Sequence, residues 1–135
     1  MTFTYLLDTN ILSELIRNPA GSVAQRVARV GEDKICTSIV VAGELRYGAA
    51  KSASTRIAER VNLILSAITV LSLEPAVDHH YADIRHQLAR QGTPIGPNDL
   101  LIAAHARALN LTIVTANAKE FSRVAEVRVE NWADA

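Results

Sequence analysis

The 135-residue chain is poor in cysteine and has no excess of charge of either sign. Because Cys36 is the only cysteine, no disulfide can form within the chain, and a reducing, cytoplasmic compartment is expected. Lys plus Arg and Asp plus Glu number 14 each, so the formal net charge is zero. Strongly basic nucleic-acid binders lack this balance, so any basic surface must be argued from the positions of individual residues.

Long apolar runs are also missing, and aromatic residues make up only 4% of the sequence. No run reaches the roughly 18 residues of a membrane helix, and no basic stretch leads into an apolar one at the start. We therefore expect neither a membrane span nor a secretory leader. With 49% hydrophobic and 21% charged residues, the chain is expected to fold as one domain over residues 1–135. Its core must consist mainly of Ala, Val, Leu and Ile.

Short apolar segments alternate with helical periodicity along the chain. Strands are predicted at 3–7, 34–37, 69–73 and 111–115, with an edge strand around Val127 and Val129. Helices are predicted between them, at 9–17, 22–30, 39–51, 55–68, 75–91 and 98–109. Strands separated by helices predict an α/β fold with a mainly parallel sheet flanked by helices on both faces. In such folds ligand sites lie at the carboxyl ends of the strands.

Several helix boundaries are predicted from single residues. Ser38 and Ser54 precede helices as N-caps, and Pro75 is placed to open one. Gly92 and Asn110 follow helices and are expected to end them.

Two strand ends carry polar side chains. Asp8 follows the first strand where a helix begins, so it can be an N-cap, a metal ligand, or both. Thr115 and Asn117 follow the strand at 111–115. Their alternative interpretation is an ordinary turn in which Asn117 caps a short helix at 118–121.

Two more acids occupy helical segments that are otherwise apolar. Glu44 lies one turn from Val41 and Gly48, on or beside the inward face. The alternative is a helix-edge glutamate paired with Arg46 or a neighbouring arginine. Asp99 lies in the first turn of an almost wholly apolar helix, where the helix dipole favours an acid whatever its function.

Together, Asp8, Glu44 and Asp99 indicate a cation site. Two carboxylates about 5 Å apart repel by roughly 3 kcal/mol at an effective dielectric constant of about 20. Three such pairs would cost on the order of 10 kcal/mol, comparable with the stability of a whole domain. A divalent cation relieves this repulsion, and oxygen-only ligands select Mg²⁺ or Mn²⁺ over zinc.

Four motifs in a fixed order carry a resemblance over essentially the whole chain. They are Leu7-Asp8-Thr9-Asn10, Glu44-Leu45-Arg46-Tyr47-Gly48, Pro94-Ile95-Gly96-Pro97-Asn98-Asp99, and Ile113-Val114-Thr115-Ala116-Asn117 followed by Glu120-Phe121. The sequence resembles PIN-domain ribonucleases, specifically VapC-type toxins of type II toxin–antitoxin pairs. The resemblance implies a single PIN domain and a metal-dependent endoribonuclease.

The resemblance also implies roles for individual residues. Asp8, Glu44 and Asp99 match the acids that hold Mg²⁺ (or Mn²⁺) and activate water, with Asp8 and Asp99 in contact with the metal. The matching polar positions that support the site are Thr9, Asn10, Thr115 and Asn117. Members of this family cut single-stranded or loop RNA, often tRNA. The implied partners are a VapB-like antitoxin that covers the active site, a second copy of the chain, and operator DNA bound through the antitoxin.

The sequence departs from the family pattern at Asn117, where many PIN domains carry a fourth acid. An amide supplies no negative charge, so one-metal chemistry, or a second ion brought in by the RNA phosphate, is expected. The alternative function is therefore a weakly active module that serves mainly as the antitoxin's partner in operator repression. A phosphoacceptor receiver domain is disfavoured, because the acidic pair on its first strand and the central Asp after its third are missing.

The remaining predictions concern surfaces. Candidate RNA-binding cations near the predicted active-site side are Arg46, Lys51, Arg85, Arg90 and Lys119, each with a solvated surface residue as its alternative. Surface or helix-packing roles are expected for the four histidines, His79, His80, His86 and His105. Leu, Ile and Ala on the short helices leave room for an apolar partner helix.

Overall fold

A computed structural model describes residues 2–133 and contains one sheet of five short strands, all parallel, in the order β3-β2-β1-β4-β5. The strands are β1 (Tyr5–Leu7), β2 (Ile35–Ser38), β3 (Thr69–Leu71), β4 (Thr112–Val114) and β5 (Val129–Glu130). The central strand β1 is buried, with Leu6 and Leu7 wholly inaccessible to solvent. The predicted α/β fold with a parallel sheet is confirmed, as is the edge strand at Val129.

Within residues 2–133, seven helices connect and flank these strands. They are α1 (Thr9–Arg17), α2 (Ser22–Val30), α3 (Ile39–Ser52), α4 (Thr55–Ala67), α5 (Val77–Gln91), α6 (Pro97–Ala108) and α7 (Ala118–Phe121). A short 3₁₀ turn (Glu32–Lys34) precedes β2. No helix in residues 2–133 combines the length and hydropathy that crossing a membrane would require.

Most of the predicted helix boundaries are confirmed. The Ser38 hydroxyl accepts a hydrogen bond from the Val40 N–H, and the Ser54 hydroxyl accepts one from the Ile57 N–H, as expected of N-caps. Gly92 follows α5 with a φ of +69°, and Asn110 follows α6 with a φ of +57°, both in the left-handed region that ends helices.

Two boundary predictions are wrong for reasons that the structure supplies. Pro75 does not open α5: the Val77 and Asp78 N–H groups bond to the carbonyls of Glu74 and Pro75, a tight turn that precedes the helix. The third strand ends at Leu71 rather than at 73 because Leu71 pairs with Ser38. Beyond Ser38 the neighbouring chain turns into α3 and offers no further partner.

Strand register aligns the residues that matter for the site. Leu7 on β1 pairs with Val114 on β4, and Leu6 pairs with Cys36 on β2. The Asp8 N–H donates to the Val114 carbonyl at 2.8 Å, which keeps the two chains side by side past the end of the strand. The residues that follow β1 and β4 therefore emerge at the same edge of the sheet.

Candidate active site

Asp8 is fixed at the carboxyl end of β1 and is only 4% exposed. Its Oδ1 accepts a hydrogen bond from the Thr9 N–H at 2.8 Å, and its Oδ2 accepts one from Thr115 Oγ1 at 2.8 Å. Burial raises the pKa of Asp8, these two hydrogen bonds oppose the rise, and the charges of Glu44 and Glu120 add to it. Asp8 is thus both the cap of α1 and a buried carboxylate under repulsion.

A polar frame joins the start of α1 to the turn after β4. Thr115 is fully buried, donates to Asp8, and accepts the Asn117 N–H at 2.9 Å. Asn10 Oδ1 accepts the Ala116 N–H at 3.1 Å. Asn117 does not cap α7 through its side chain; its Nδ2 donates to Glu120 Oε2 at 2.5 Å. The predicted helix at 118–121 is therefore confirmed with Asn117 at its N-cap position, but the side chain of Asn117 makes no capping hydrogen bond.

Glu44 reaches the same edge from α3. Thr9 Oγ1 donates to its Oε1 at 2.5 Å, and Asn98 Nδ2 donates to its Oε2 at 3.2 Å. Arg46 instead donates to Asn62 Oδ1 on α4, at 2.7 Å. The alternative of a surface pair between Glu44 and Arg46 is therefore wrong, and neutral donors hold Glu44 in place.

Asp99 enters from the first turn of α6, a helix whose Leu100 and Ile102 are buried. Burial raises the pKa of Asp99 to about 7, helped by a hydrogen bond with Glu120 and by the charges of Asp8, Glu120 and Glu44. Partial burial alone would raise the pKa of Glu120, but hydrogen bonds with Asn117, Asp99 and the Gly96 N–H lower it. The proton shared by Asp99 and Glu120 therefore lies on Asp99 below about pH 7.

These side chains line a cleft of about 340 Å³, referred to below as the acidic cleft. Its lining residues are Asp8, Thr9, Asn10, Ser13, Arg17, Glu44, Asp99 and Asn117. All three predicted acids thus meet at one surface, together with three of the four supporting residues; Thr115 lies buried behind Asp8. Among residues 2–133, no ion pair involves Asp8, Glu44, Asp99 or Glu120.

The donor set of the cleft fits a hard divalent cation. It offers carboxylate, amide and hydroxyl oxygens, and two of its carboxyl groups have raised pKa values. Within residues 2–133, no three His, Cys, Asp or Glu side chains are close enough to hold an ion by themselves. Mg²⁺ typically keeps several waters and uses one or two carboxylates plus substrate phosphates, so Asp8 and Asp99 suffice for it.

The predicted RNA-binding cations lie elsewhere. None of the five lines the acidic cleft, and all are exposed: Arg46, Lys51, Arg85, Arg90 and Lys119. Arg85 donates to the Tyr81 hydroxyl at 3.0 Å, one turn away on α5. Of the histidines, His105 is 1% exposed and lies with Nδ1 2.8 Å from Ser38 Oγ, a helix-packing position.

Three residues of the site were not predicted from the sequence. Glu120 was quoted only as part of a motif, yet it contacts Asp99, Asn117 and the Gly96 N–H. Ser13 and Arg17 line the cleft from α1. The sequence does contain a pattern that could have found Ser13 and Arg17: with Asn10 they form a polar stripe opposite the apolar face of α1.

Comparisons with known proteins agree with this geometry. Residues 5–127 match the model of the PIN domain family. The tRNA(fMet)-specific endonuclease VapC of Shigella flexneri is 43% identical over 133 residues, which cover 96% of this chain and 98% of that protein. Ribonuclease VapC2 of Haemophilus influenzae is 39% identical over 129 residues, covering 95% and 97%.

Solved structures of similar chains belong to toxin–antitoxin complexes. A chain of DNA-bound VapBC from Salmonella typhimurium superposes with a TM-score of 0.91 at 36% identity, covering 97% of this chain and 99% of that one. A chain of VapBC2 from Rickettsia felis, bound to a promoter DNA fragment, gives 0.90 at 34%, covering 96% and 99%. The chain therefore belongs to the PIN domain family, and within that family to the VapC ribonucleases.

Proposed function

We propose that this protein is a metal-dependent endoribonuclease toxin that hydrolyses phosphodiester bonds in structured RNA, with tRNA as the substrate class. The observation that carries the proposal is the acidic cleft, where carboxylates from β1, α3 and α6 meet without a cationic partner. The tRNA assignment is supported by the specificity named for the Shigella relative. We propose that the enzyme and its partners act in the cytoplasm.

In this proposal, Asp8 and Asp99 hold Mg²⁺, with Mn²⁺ as a substitute. When bound, the ion supplies a Lewis acid that neutralises phosphate charge and lowers the pKa of water. The Thr9 N–H and the Thr115 hydroxyl fix both oxygens of Asp8, so its orientation is set before the ion arrives. Asp99 would ligate the ion as a carboxylate, and the hydrogen bond with Glu120 would orient it.

Glu44 takes the role of general base or water-orienting group. Its two oxygens accept hydrogen bonds from Thr9 and Asn98, which leave further lone pairs directed at the cleft. Neutral donors hold the carboxylate without cancelling its charge. Such an anion can accept a proton from the attacking water, as an ion-paired one could not do easily.

Asn117 is the reason to consider a weakly active module that acts mainly through the antitoxin. Glu120 weakens that reading, because it places a fourth carboxyl group beside Asp99 while Asn117 serves as its donor. The DNA-bound complexes of relatives favour an additional role in operator binding through the antitoxin. The two functions are compatible, and we propose the nuclease as the primary one.

The test is cleavage of initiator tRNA by antitoxin-free protein in Mg²⁺, Mn²⁺, Ca²⁺ and EDTA. The expected result is cleavage in Mg²⁺ and Mn²⁺ that EDTA abolishes and that Asp8→Ala removes. Full cleavage in EDTA would overturn the metal assignment. No cleavage of any RNA by folded protein, with intact antitoxin and operator binding, would establish the alternative.

We also propose an antitoxin-binding surface along α3 and α4. Tyr47 and Leu63 are 68% and 72% exposed, and the Arg46–Asn62 hydrogen bond joins the two helices at the residues just before them. Since α3 also carries Glu44, an apolar segment of a VapB-like antitoxin lying here would reach the cleft. A homodimer is proposed from family membership.

The antitoxin surface predicts a separation of functions. Leu63→Glu should abolish co-purification with the antitoxin while leaving RNA cleavage intact, because Leu63 projects into solvent away from the cleft lining. The matched control is Ala82→Glu, at an exposed position of α5 outside the α3–α4 surface. Normal antitoxin binding by Leu63→Glu would place the surface elsewhere.

A further inference from the structure

Helix α1 presents a polar stripe to the acidic cleft. Asn10, Ser13 and Arg17 are spaced by three and four residues, so they share one face of the helix, and all three line the cleft. Ile11 and Leu12, on the opposite side, are fully buried. One wall of the cleft thus runs from the carboxylates along α1 to Arg17.

Arg17 is the only Lys or Arg that lines this cleft in the part of the chain that the structure describes. Its sole ion pair is with Glu14, one turn back, at 2.8 Å, and the two side chains are 67% and 32% exposed. Exposed helix pairs of this kind contribute only about 0.3–0.5 kcal/mol. The guanidinium can therefore leave Glu14 for a stronger anionic partner at little cost.

Ser13 adds an uncommitted donor to the same wall. Helical serines commonly bond back to the carbonyl four residues earlier. The Ser13 hydroxyl makes no hydrogen bond to any residue between 2 and 133. It is half-buried and lies one turn from Arg17, so a phosphate on this wall would meet a neutral donor and a fork of charged donors.

The charge of the cleft makes such a contact necessary for a polyanion. A phosphate about 5 Å from a single carboxylate is repelled by roughly 3 kcal/mol at an effective dielectric constant of about 20. Asp8, Glu44, Asp99 and Glu120 surround the reacting end, and the proposed ion offsets only part of their charge. Arg17 lies nine residues beyond Asp8, about 14 Å along the helix axis. It therefore reaches a neighbouring phosphate rather than the reacting one.

We infer that Ser13 and Arg17 form a binding subsite for an RNA phosphate flanking the bond that is cleaved. The inference rests on the proposed function, since it assigns to the same cleft the path of the substrate backbone. This subsite would let a protein of zero net charge contact an RNA phosphate through an arginine. It does not involve the five exposed cations predicted from the sequence.

The first experiment measures RNA affinity as a function of salt. A single-stranded segment of initiator tRNA is titrated into Asp99→Asn protein, which is expected not to cut it, with and without Arg17→Ala. The matched control is Arg29→Ala, which removes an exposed arginine from the last turn of α2, another nine-residue helix, outside the cleft. Arg17→Ala should weaken binding about fivefold and reduce the salt slope by about 0.7, one single-strand phosphate contact. Arg29→Ala should change neither.

The second experiment locates the contact on the RNA. Oligonucleotides with one neutral methylphosphonate linkage at successive positions are bound to both proteins. At one flanking position the effect of Arg17→Ala should vanish, because the charge that Arg17 binds is already absent. Ser13→Ala should weaken RNA binding less than Arg17→Ala does, at the same linkage position. Arg17→Lys keeps the charge and should restore the salt slope of the wild type.

The outcomes separate this inference from the proposed function. If the wild type cleaves RNA but Arg17→Ala matches Arg29→Ala in affinity and slope, the subsite is wrong and the nuclease stands. An Arg17→Ala effect that is equal for every neutral linkage also overturns the subsite. If the wild type cleaves no RNA yet the Arg17-dependent salt slope and linkage position are found, the phosphate contact on α1 stands and the nuclease proposal fails.

Discussion

Two polar clusters of this molecule differ in whether their charged groups are paired with groups of opposite charge. In the arginine cluster, formed by Arg107, His80, Asp83 and Glu126, the guanidinium is 9% exposed and its donors are engaged. It donates to Asp83 at 2.6 Å, to His80 Nδ1 at 2.8 Å and to the Ala125 carbonyl at 3.5 Å. The hydrogen bond and charge of Arg107 lower the pKa of Asp83. This cluster joins α5, α6 and the segment after α7.

The acidic cleft has no such neutralisation. Its carboxylates accept hydrogen bonds from Thr9, Thr115, Asn98 and Asn117, all neutral donors, and the pKa values of Asp8 and Asp99 are raised. Neutral donors fix geometry but leave repulsion in place. The comparison teaches that one cluster stabilises the fold, whereas the other holds unrelieved charge ready for a cation and RNA.

The largest expected effect comes from neutralising the cleft. Asp99→Asn keeps the shape of the side chain and can still donate to Glu120, but it removes a metal-binding oxygen and a charge. RNA cleavage should fall by at least about 100-fold, while the metal-free protein should be as stable as the wild type or more so. Cleavage assays and thermal unfolding in EDTA check this. A large loss of stability would mean that the cleft supports the fold, contrary to the comparison.

The arginine cluster should respond in the opposite manner. Arg107→Met keeps most of the aliphatic stem but leaves His80 Nδ1 and the Ala125 carbonyl unpaired, which should lower the unfolding free energy by about 2 kcal/mol. Cleavage per folded molecule should be unchanged. Urea titration measures the unfolding free energy, and cleavage kinetics normalised to the concentration of folded protein measure the activity. Asp83→Asn is the control: because Asp83 is 62% exposed, this variant should lose much less stability than Arg107→Met.

Glu120 tests whether the fourth carboxyl group belongs to the site. Glu120→Gln retains one acceptor for Asn117 or Gly96 but removes the partner that shares a proton with Asp99, so cleavage should fall about tenfold. The expected loss is smaller than for Asp99→Asn because Glu120 acts through Asp99. Glu59→Gln, an exposed change on α4, should have no effect. Equal activities of the two variants would remove Glu120 from the site.

The positions of site residues and helix ends could be predicted from the sequence where local residue patterns and the strand order point to the same place. Asp8 and Thr115 follow strands that a parallel α/β order must bring to one edge, so their meeting could be predicted. Ser38 and Gly92 carry capping chemistry that needs no partner from elsewhere in the chain.

The features that could not be predicted depend on contacts between residues far apart in the chain. The role of Glu120 depends on Gly96 and Asp99, more than twenty residues earlier. Periodicity showed which face of α1 is apolar but not that its polar face, with Arg17, borders the cleft. The end of β3 is set by Ser38, where the neighbouring strand stops, and not by the residues that follow Leu71.

The property that contrasts the two clusters most directly is the sign of the pH dependence of stability. In metal-free protein the pKa of Asp99 is about 7, against 3.8 ordinarily. From about pH 4 to 7 the folded state keeps a proton that the unfolded state releases, so Asp99 makes stability fall as pH rises. Asp83 has a lowered pKa, so it contributes stability above pH 4 and loses it in acid.

Urea midpoints in EDTA at pH 5, 6, 7 and 8 test this sign, read as the difference between wild type and Asp99→Asn. Taking the difference cancels groups common to both proteins, such as His105, whose pKa is lowered by burial. The wild type should lose stability relative to Asp99→Asn across this range, and saturating Mg²⁺ should reverse the loss at pH 7 and above. A difference that grows in favour of the wild type as pH rises in EDTA would mean that a cation of the protein already neutralises Asp99. The contrast between the two clusters would then be wrong at its central residue.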